Sequence, residues 1–170
     1  MCKFRDLRAE EIETRVQSAK QNGIVLLLYK DARCDQNILD ETVGALNWQR
    51  HHSRDNANCI VSIWDEAKRQ WVEKEDTGTE SNTEAEKGLA SDSFKRACFN
   101  WGIGRELYTA PFIWIPADKC NISTNNNKAA CYDKFAVEKI IIEDKCITAL
   151  AIWNVTKNVR AFVWQKEKKA

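Results

Sequence analysis

The chain has 170 residues, of which 44% are hydrophobic and 30% are charged, a balance typical of one globular domain with a sizeable core. Its formal net charge is +1, so an anionic partner would have to be held by a local patch of cations. We find no apolar run long enough to cross a membrane and no secretory signal pattern, which predicts a cytoplasmic protein. Seven cysteines without a Cys-x-x-Cys pair predict reduced thiols.

The first predicted element is a helix over Ala9–Gln21. Its apolar residues Ile12, Val16 and Ala19 recur at helical spacing, and Gly23 follows as a stop signal. Glutamate, arginine and glutamine fill most of the other positions. The segment is therefore expected to be the first helix.

A short apolar run and a second helix come next. Ile24–Tyr29 is rich in aliphatic residues and predicts a buried strand, whereas Asp35–Val43 predicts a helix that ends at Gly44. Another strand is expected from about Trp48. The alternation of apolar and polar residues then predicts a β-hairpin with strands at 58–64 and 70–76.

The second half of the chain contains a long helix and then β-rich runs. We predict a polar, mobile loop at Cys120–Lys128 and a terminal β-meander whose strands fall at 140–143, 147–155 and 159–164. The whole chain is interpreted as one domain, 1–170, with a core at 7–116, a polar loop at 117–134 and the meander at 135–165. The fold class is α+β.

The long helix carries the most informative residues. Ser81 and Glu84 have the spacing of a capping box, which would begin the helix at about residue 82, and the pair Gly102 and Gly104 would end it. One stripe of the helix is apolar and predicts a buried face: Ala90, Phe94, Ala97, Cys98 and Trp101. The adjacent cations Lys95 and Arg96 project on either side of it, as a phosphate-binding helix requires. Solvated cations of this kind are equally common on helices without a ligand.

A cluster of carboxylates lies just before and inside the start of this helix. It has the composition of a two-metal nuclease site: Asp76, Glu80, Glu84 and Glu86. Helix capping explains acidic residues at the same positions. A metal-dependent nuclease therefore stays the alternative hypothesis.

Two segments resemble one family. EKGLASDSFKRACFNWG, at 86–102, is similar to the signature helix of the Rad-fifty-two family of single-strand annealing proteins, and YKDARCDQNILDETVGALNWQ, at 29–49, is similar to an upstream segment of the same family. Their order, and the β-hairpin predicted between them, fit as well. The resemblance covers about residues 7–110, and the terminal meander resembles only the phage-type members.

The resemblance implies a twisted antiparallel sheet packed against the long helix and a ring of identical subunits whose basic groove holds single-stranded DNA by its backbone. By motif position, Lys95 and Arg96 would be the principal phosphate contacts, and Arg33 would match the groove arginine of the upstream segment. Lys87, Arg105 and Lys30 are predicted as additional DNA contacts. An exonuclease and a single-strand-binding protein are the partners that the phage-type members suggest, in a bacterial or phage-infected cell.

The implied activity is ATP-independent annealing of complementary strands in recombination and repair. It requires cations but no catalytic residue, metal or cofactor, and none of these is predicted. The third hypothesis is a structural or adaptor module whose basic helix binds a protein partner.

Overall fold

The computed structural model describes residues 3–79, 85–126 and 128–167, without the side chains of residues 85–87. The described part of the chain is mixed α and β, with antiparallel sheets and two α-helices, which confirms the α+β class. The elements are β1 (Glu13–Lys20), β2 (Gly23–Tyr29), α1 (Ala32–Val43), β3 (Trp48–Ser53), β4 (Asn58–Asp65), β5 (Gln70–Thr77), α2 (Ala85–Trp101), β6 (Ile113–Pro116), β7 (Ser123–Asn125), β8 (Lys128–Ala130), β9 (Phe135–Glu143), β10 (Cys146–Asn154) and β11 (Val159–Gln165).

The chain divides into two compact units. Unit 1 comprises Met1–Asp6 and Lys30–Arg105, and unit 2 comprises Leu7–Tyr29 and Glu106–Ala170. Residues 7–29 and 106–116 thus belong to the same unit as the terminal strands.

Unit 1 contains the antiparallel sheet β3-β4-β5, as predicted for the hairpin and the strand before it. In the central strand, Cys59, Val61 and Ile63 alternate along one face and are buried. In the register, Arg50 of β3 and Lys74 of β5 lie on either side of Val61. The flanking strands therefore bring cations to the face that the central strand fills with apolar side chains.

Helix α1 confirms the helix predicted at Asp35–Val43 and begins slightly earlier. The Asp31 carboxylate accepts a hydrogen bond from Cys34 N at 2.8 Å and caps the N-terminus. Ile38 and Leu39 are fully buried. Gly44 ends the helix with a positive φ of 87°, a conformation that glycine adopts without steric cost.

Helix α2 is described from Ala85, so the predicted capping box of Ser81 and Glu84 lies outside the described residues. The helix ends before Gly102, as predicted, where φ is 93°. Its N-terminal half lies close to the residue after β5, since a Cβ on Gly78 would be 2.5 Å from Ser93 N. Trp101 Nε1 donates to Val61 O of β4 at 3.0 Å.

Unit 2 contains two three-stranded antiparallel sheets, β1-β2-β6 and β11-β10-β9. Residues of both sheets share one buried cluster: Ile24, Leu26, Ile113, Ile115, Cys120, Cys131, Ile147, Leu150, Ile152 and Ala161. The buried strand predicted at Ile24–Tyr29 is confirmed as β2. The three predicted terminal runs correspond to β9, β10 and β11, except that Val155 lies one residue beyond the end of β10.

The helix predicted at Ala9–Gln21 is wrong. The segment forms a 3-10 turn at Ala9–Glu11 and then the strand β1. The pairing of β1 with β2 shifts between Val16 and Ser18, so the strand contains a bulge. The bulge returns Val16 and Ala19, three residues apart, to the partly buried side of the strand, which imitates helical spacing.

The polar segment after β6 contains regular structure. It contains a 3-10 turn at Ala117–Lys119 and a short hairpin of β7 with β8. Asp133 then accepts hydrogen bonds from Asn121 N at 2.7 Å and from Asn154 Nδ2 at 2.7 Å. These bonds connect the segment to the end of β10. No helix in the described ranges is both long and apolar enough to span a membrane.

Candidate nucleic-acid interface

Helix α2 is anchored by its apolar face. Phe94, Ala97 and Cys98 are fully buried, and the Phe94 ring stacks on Trp48 of β3 at a centroid distance of 6.1 Å. Lys95 and Arg96 lie outside this stripe, and their side chains are 24% and 42% exposed. The predicted pair of cations is therefore on a fixed element and accessible to a ligand.

Lys95 forms an ion pair within its own helix. Its Nζ lies 3.9 Å from Asp92 Oδ1, one turn earlier on α2. Burial acts to raise the pKa of Asp35 on α1, and the charges of Lys30 and Lys95 act to lower it. The nearest carboxylate to the Lys95 ammonium is thus the one on α2.

Arg96 faces the other side of the helix, toward β5. Its Nε donates to Asp76 Oδ1 at 3.4 Å, and Asp76 Oδ2 accepts from Asn100 Nδ2 at 3.2 Å. The contact uses Nε alone, so neither Nη group has a partner among the described residues. The edge formed by Nη1 and Nη2 can bind a phosphate bidentately.

Arg33 is the most exposed of these cations, at 84% of its side chain. Its Nε donates to Asp31 Oδ2 at 2.9 Å. Although burial acts to raise it, the pKa of Asp31 is lowered, because the Cys34 amide and the Arg33 guanidinium bind the ionised carboxylate. Arg33 therefore extends from the N-terminus of α1 beside its own helix cap.

Lys30 does not lie where the prediction requires. Its side chain is 1% exposed, and Nζ lies 2.5 Å from both carboxylate oxygens of Asp35 and 4.3 Å from the centroid of the Phe99 ring. An ammonium enclosed in this way is inaccessible to a phosphate. The prediction that Lys30 contacts DNA is corrected: in this structure the residue is half of a buried ion pair.

Arg105 is exposed, but its guanidinium binds the end of α2. Nε and Nη2 donate to Phe99 O at 3.0 and 2.7 Å, and Nη2 also donates to Asn100 O at 3.1 Å. The main contacts of Arg105 are therefore those of a C-terminal cap on α2. Lys87 belongs to α2, and its side chain lies outside the described residues.

Two cations that the sequence did not single out lie against the aromatic residues of α2. Arg50 of β3 lies 4.9 Å from the Phe94 ring, and Lys74 of β5 lies 4.7 Å from the Trp101 ring and donates to Asn100 O at 2.7 Å. The alternation in the hairpin was the available signal, because it places Arg50 and Lys74 on the face occupied by Val61.

The buried thiols of Cys59, on β4, and Cys98, on α2, are packing groups. Burial raises the pKa of Cys59 to about 11, against the effect of Arg50, and raises that of Cys98 well above its usual value. Both thiols are therefore protonated at neutral pH.

Only part of the predicted nuclease cluster can be placed. Asp76 is bound to Arg96 and Asn100, whereas Glu80, Glu84 and the side chain of Glu86 lie outside the described residues. Within the described ranges, no group of three or more His, Cys, Asp or Glu side chains is arranged to hold a metal ion.

Comparison of the chain with protein-family models, with curated proteins and with solved structures gives no match.

Proposed function

We propose that this protein binds single-stranded DNA through its backbone and promotes the annealing of complementary strands without ATP. The observation that carries the proposal is the position of Lys95 and Arg96, which project from a helix anchored by three fully buried residues. With the exposed Arg33, they supply three cations on the two helices of unit 1. Lys87 is a further candidate contact on the same helix.

The ion pairs of these cations suit a protein that must release its product. Lys95, Arg96 and Arg33 each lie within 4 Å of an aspartate oxygen. A phosphate therefore competes with a carboxylate for each cation, and the net gain per contact is smaller than for an unpaired cation. Moderate affinity per nucleotide allows a strand to bind, pair with its complement and dissociate as a duplex.

The finer architecture belongs to the same proposal. We interpret the sheet β3-β4-β5 with α2 as the annealing layer that the family resemblance implies, and β9-β10-β11 as the terminal meander of the phage-type members. Repetition of a few cations around a closed ring would give a continuous groove from a chain of low net charge. A cytoplasmic location, with an exonuclease and a single-strand-binding protein as partners, completes the proposal.

The test is an annealing assay with complementary oligonucleotides, without ATP, for the wild type and for Lys95→Gln with Arg96→Gln. We expect the wild type to accelerate annealing and the double variant to lose most of this acceleration. Loss of two phosphate contacts should also lower the slope of log affinity against log salt by about 1.4. Fluorescence anisotropy with a labelled single strand, repeated over a series of salt concentrations, measures this slope.

The matched control is Lys68→Gln with Arg69→Gln, which removes the same charge from the exposed turn between β4 and β5. This variant should anneal nearly as well as the wild type. Equal losses in the two double variants would show that only total charge matters and would refute the assigned site. Magnesium-dependent cleavage of the strands would instead support the nuclease.

A further inference from the structure

A second cluster of cations lies in unit 2, beside a groove of about 420 Å³. One wall is residues 14–16 of β1, and the other is residues 131–135, which lead into β9. Thr14 Oγ1 donates to Phe135 O at 3.0 Å and holds the walls together. The groove is thus built from an edge strand and an adjacent segment of defined conformation.

Three side chains of the groove, one aromatic and two cationic, are exposed and can contact a ligand. Tyr132 is 86% exposed, the highest value for any aromatic residue in the described part of the chain. Arg15 and Lys134 are also exposed, and neither side chain makes a hydrogen bond or ion pair with a described residue. Both cations therefore keep all their donors for a ligand.

The carboxylate within the groove forms no ion pair with either cation. Asp133 accepts hydrogen bonds from Asn121 N and Nδ2, at 2.7 and 2.9 Å, and from Asn154 Nδ2, at 2.7 Å. Although burial acts to raise it, the pKa of Asp133 is lowered by these bonds and by the charge of Lys157. Both oxygens of the Asp133 carboxylate are thus already bound by asparagine groups of the protein.

We propose that this groove binds a nucleotide of single-stranded nucleic acid, with a base stacked on Tyr132 and the flanking phosphates on Arg15 and Lys134. Stacking on an exposed aromatic ring strengthens binding by roughly 5- to 150-fold per base and tolerates any sequence. Two cations without acidic partners bind phosphate without exchanging an existing ion pair. The proposal rests on the function proposed above only in its choice of a single strand as the ligand.

The experiment measures the affinity of a short fluorescent oligothymidylate for single-residue and charge variants of the full chain. Tyr132→Leu should weaken binding roughly tenfold. Arg15→Gln with Lys134→Gln should weaken it and lower the salt slope by about 1.4. The control, Lys139→Gln with Lys166→Gln, removes the same charge from exposed positions outside the groove in the same unit and should cost much less.

Two further probes report on stacking itself. An oligonucleotide containing 5-iododeoxyuridine should form a photochemical cross-link that mass spectrometry locates at Tyr132. The wild type should bind an abasic strand of equal length more weakly than it binds oligothymidylate. The affinity for the abasic strand should be the same for the wild type and Tyr132→Leu, because no base is present to stack. Cross-links that avoid Tyr132, or an unchanged affinity of Tyr132→Leu for oligothymidylate, would overturn the inference.

The α2 variant, Lys95→Gln with Arg96→Gln, is measured in parallel. If it loses affinity while the groove variants bind like the wild type, the inference fails and the proposed function stands. If the groove variants alone lose affinity, the inference stands and the site proposed on α2 fails. If the wild type binds no oligothymidylate, both fail.

Discussion

The two units place their candidate DNA-binding cations in different electrostatic surroundings. In unit 1, Lys95, Arg96 and Arg33 each lie within 4 Å of an aspartate oxygen. In the groove of unit 2, Arg15 and Lys134 have no acidic partner among the described residues. A motif therefore does not decide whether a cation is ready to bind phosphate, because that also depends on the acids that lie beside it, on the same element or on another.

The largest effect is expected where pairing and burial coincide in unit 1. Asp35→Asn leaves the Lys30 ammonium buried without its counter-charge and should lower the free energy of unfolding by about 3–5 kcal/mol. Urea unfolding measures this change. Asn37→Ala, at an exposed position of the same helix, is the control and should change stability far less.

A companion variant separates charge from packing at this pair. Lys30→Met with Asp35→Leu removes both charges and should recover most of the stability. It should also bind single strands as the wild type does, because Lys30 is inaccessible. Weaker binding by this folded variant would show that Lys30 contacts DNA. It would contradict the conclusion that burial excludes Lys30 from the binding site.

The smallest effect concerns the acids that compete with phosphate. Asp92→Asn removes the carboxylate beside Lys95 and should strengthen single-strand binding about two- to fivefold at low salt, with less gain at high salt. Glu138→Gln is the control, because it also removes one carboxylate beside an arginine, Arg160, which lies in unit 2 outside the groove. This variant should strengthen single-strand binding less. Anisotropy titrations compare them. Equal gains would show that net charge, and not the partner of Lys95, controls affinity.

Most local elements were predictable because their signals are local. The glycine stops at Gly44 and Gly102 and the alternation of the β4-β5 hairpin each depend on residues close in sequence. Strand β1 was not predictable in this way, because its bulge spaces the apolar residues along the strand as they would be spaced on a helix. The division into two units depends on long-range pairing of β2 with β6, which no local pattern contains.

The candidate site was predictable only in its exposed part. Lys95, Arg96 and Arg33 are accessible, as their positions in the motifs suggested, but their aspartate partners lie partly on other elements. The burial of Lys30 depends on Phe99, which is far from it in sequence. Arg15 lies in a segment predicted as a helix, so its place beside Tyr132 could not be foreseen.

The cap at the end of α2 has an electrostatic consequence. A helix C-terminus carries about half a negative charge from its aligned peptide dipoles, which would repel phosphate. Arg105 and Lys74 donate to the last carbonyl groups of α2, at Phe99 and Asn100. They bring positive charge to the end where the dipoles leave a negative one. A strand approaching Lys95 and Arg96, one to two turns away, meets a helix end whose intrinsic negative potential is already compensated.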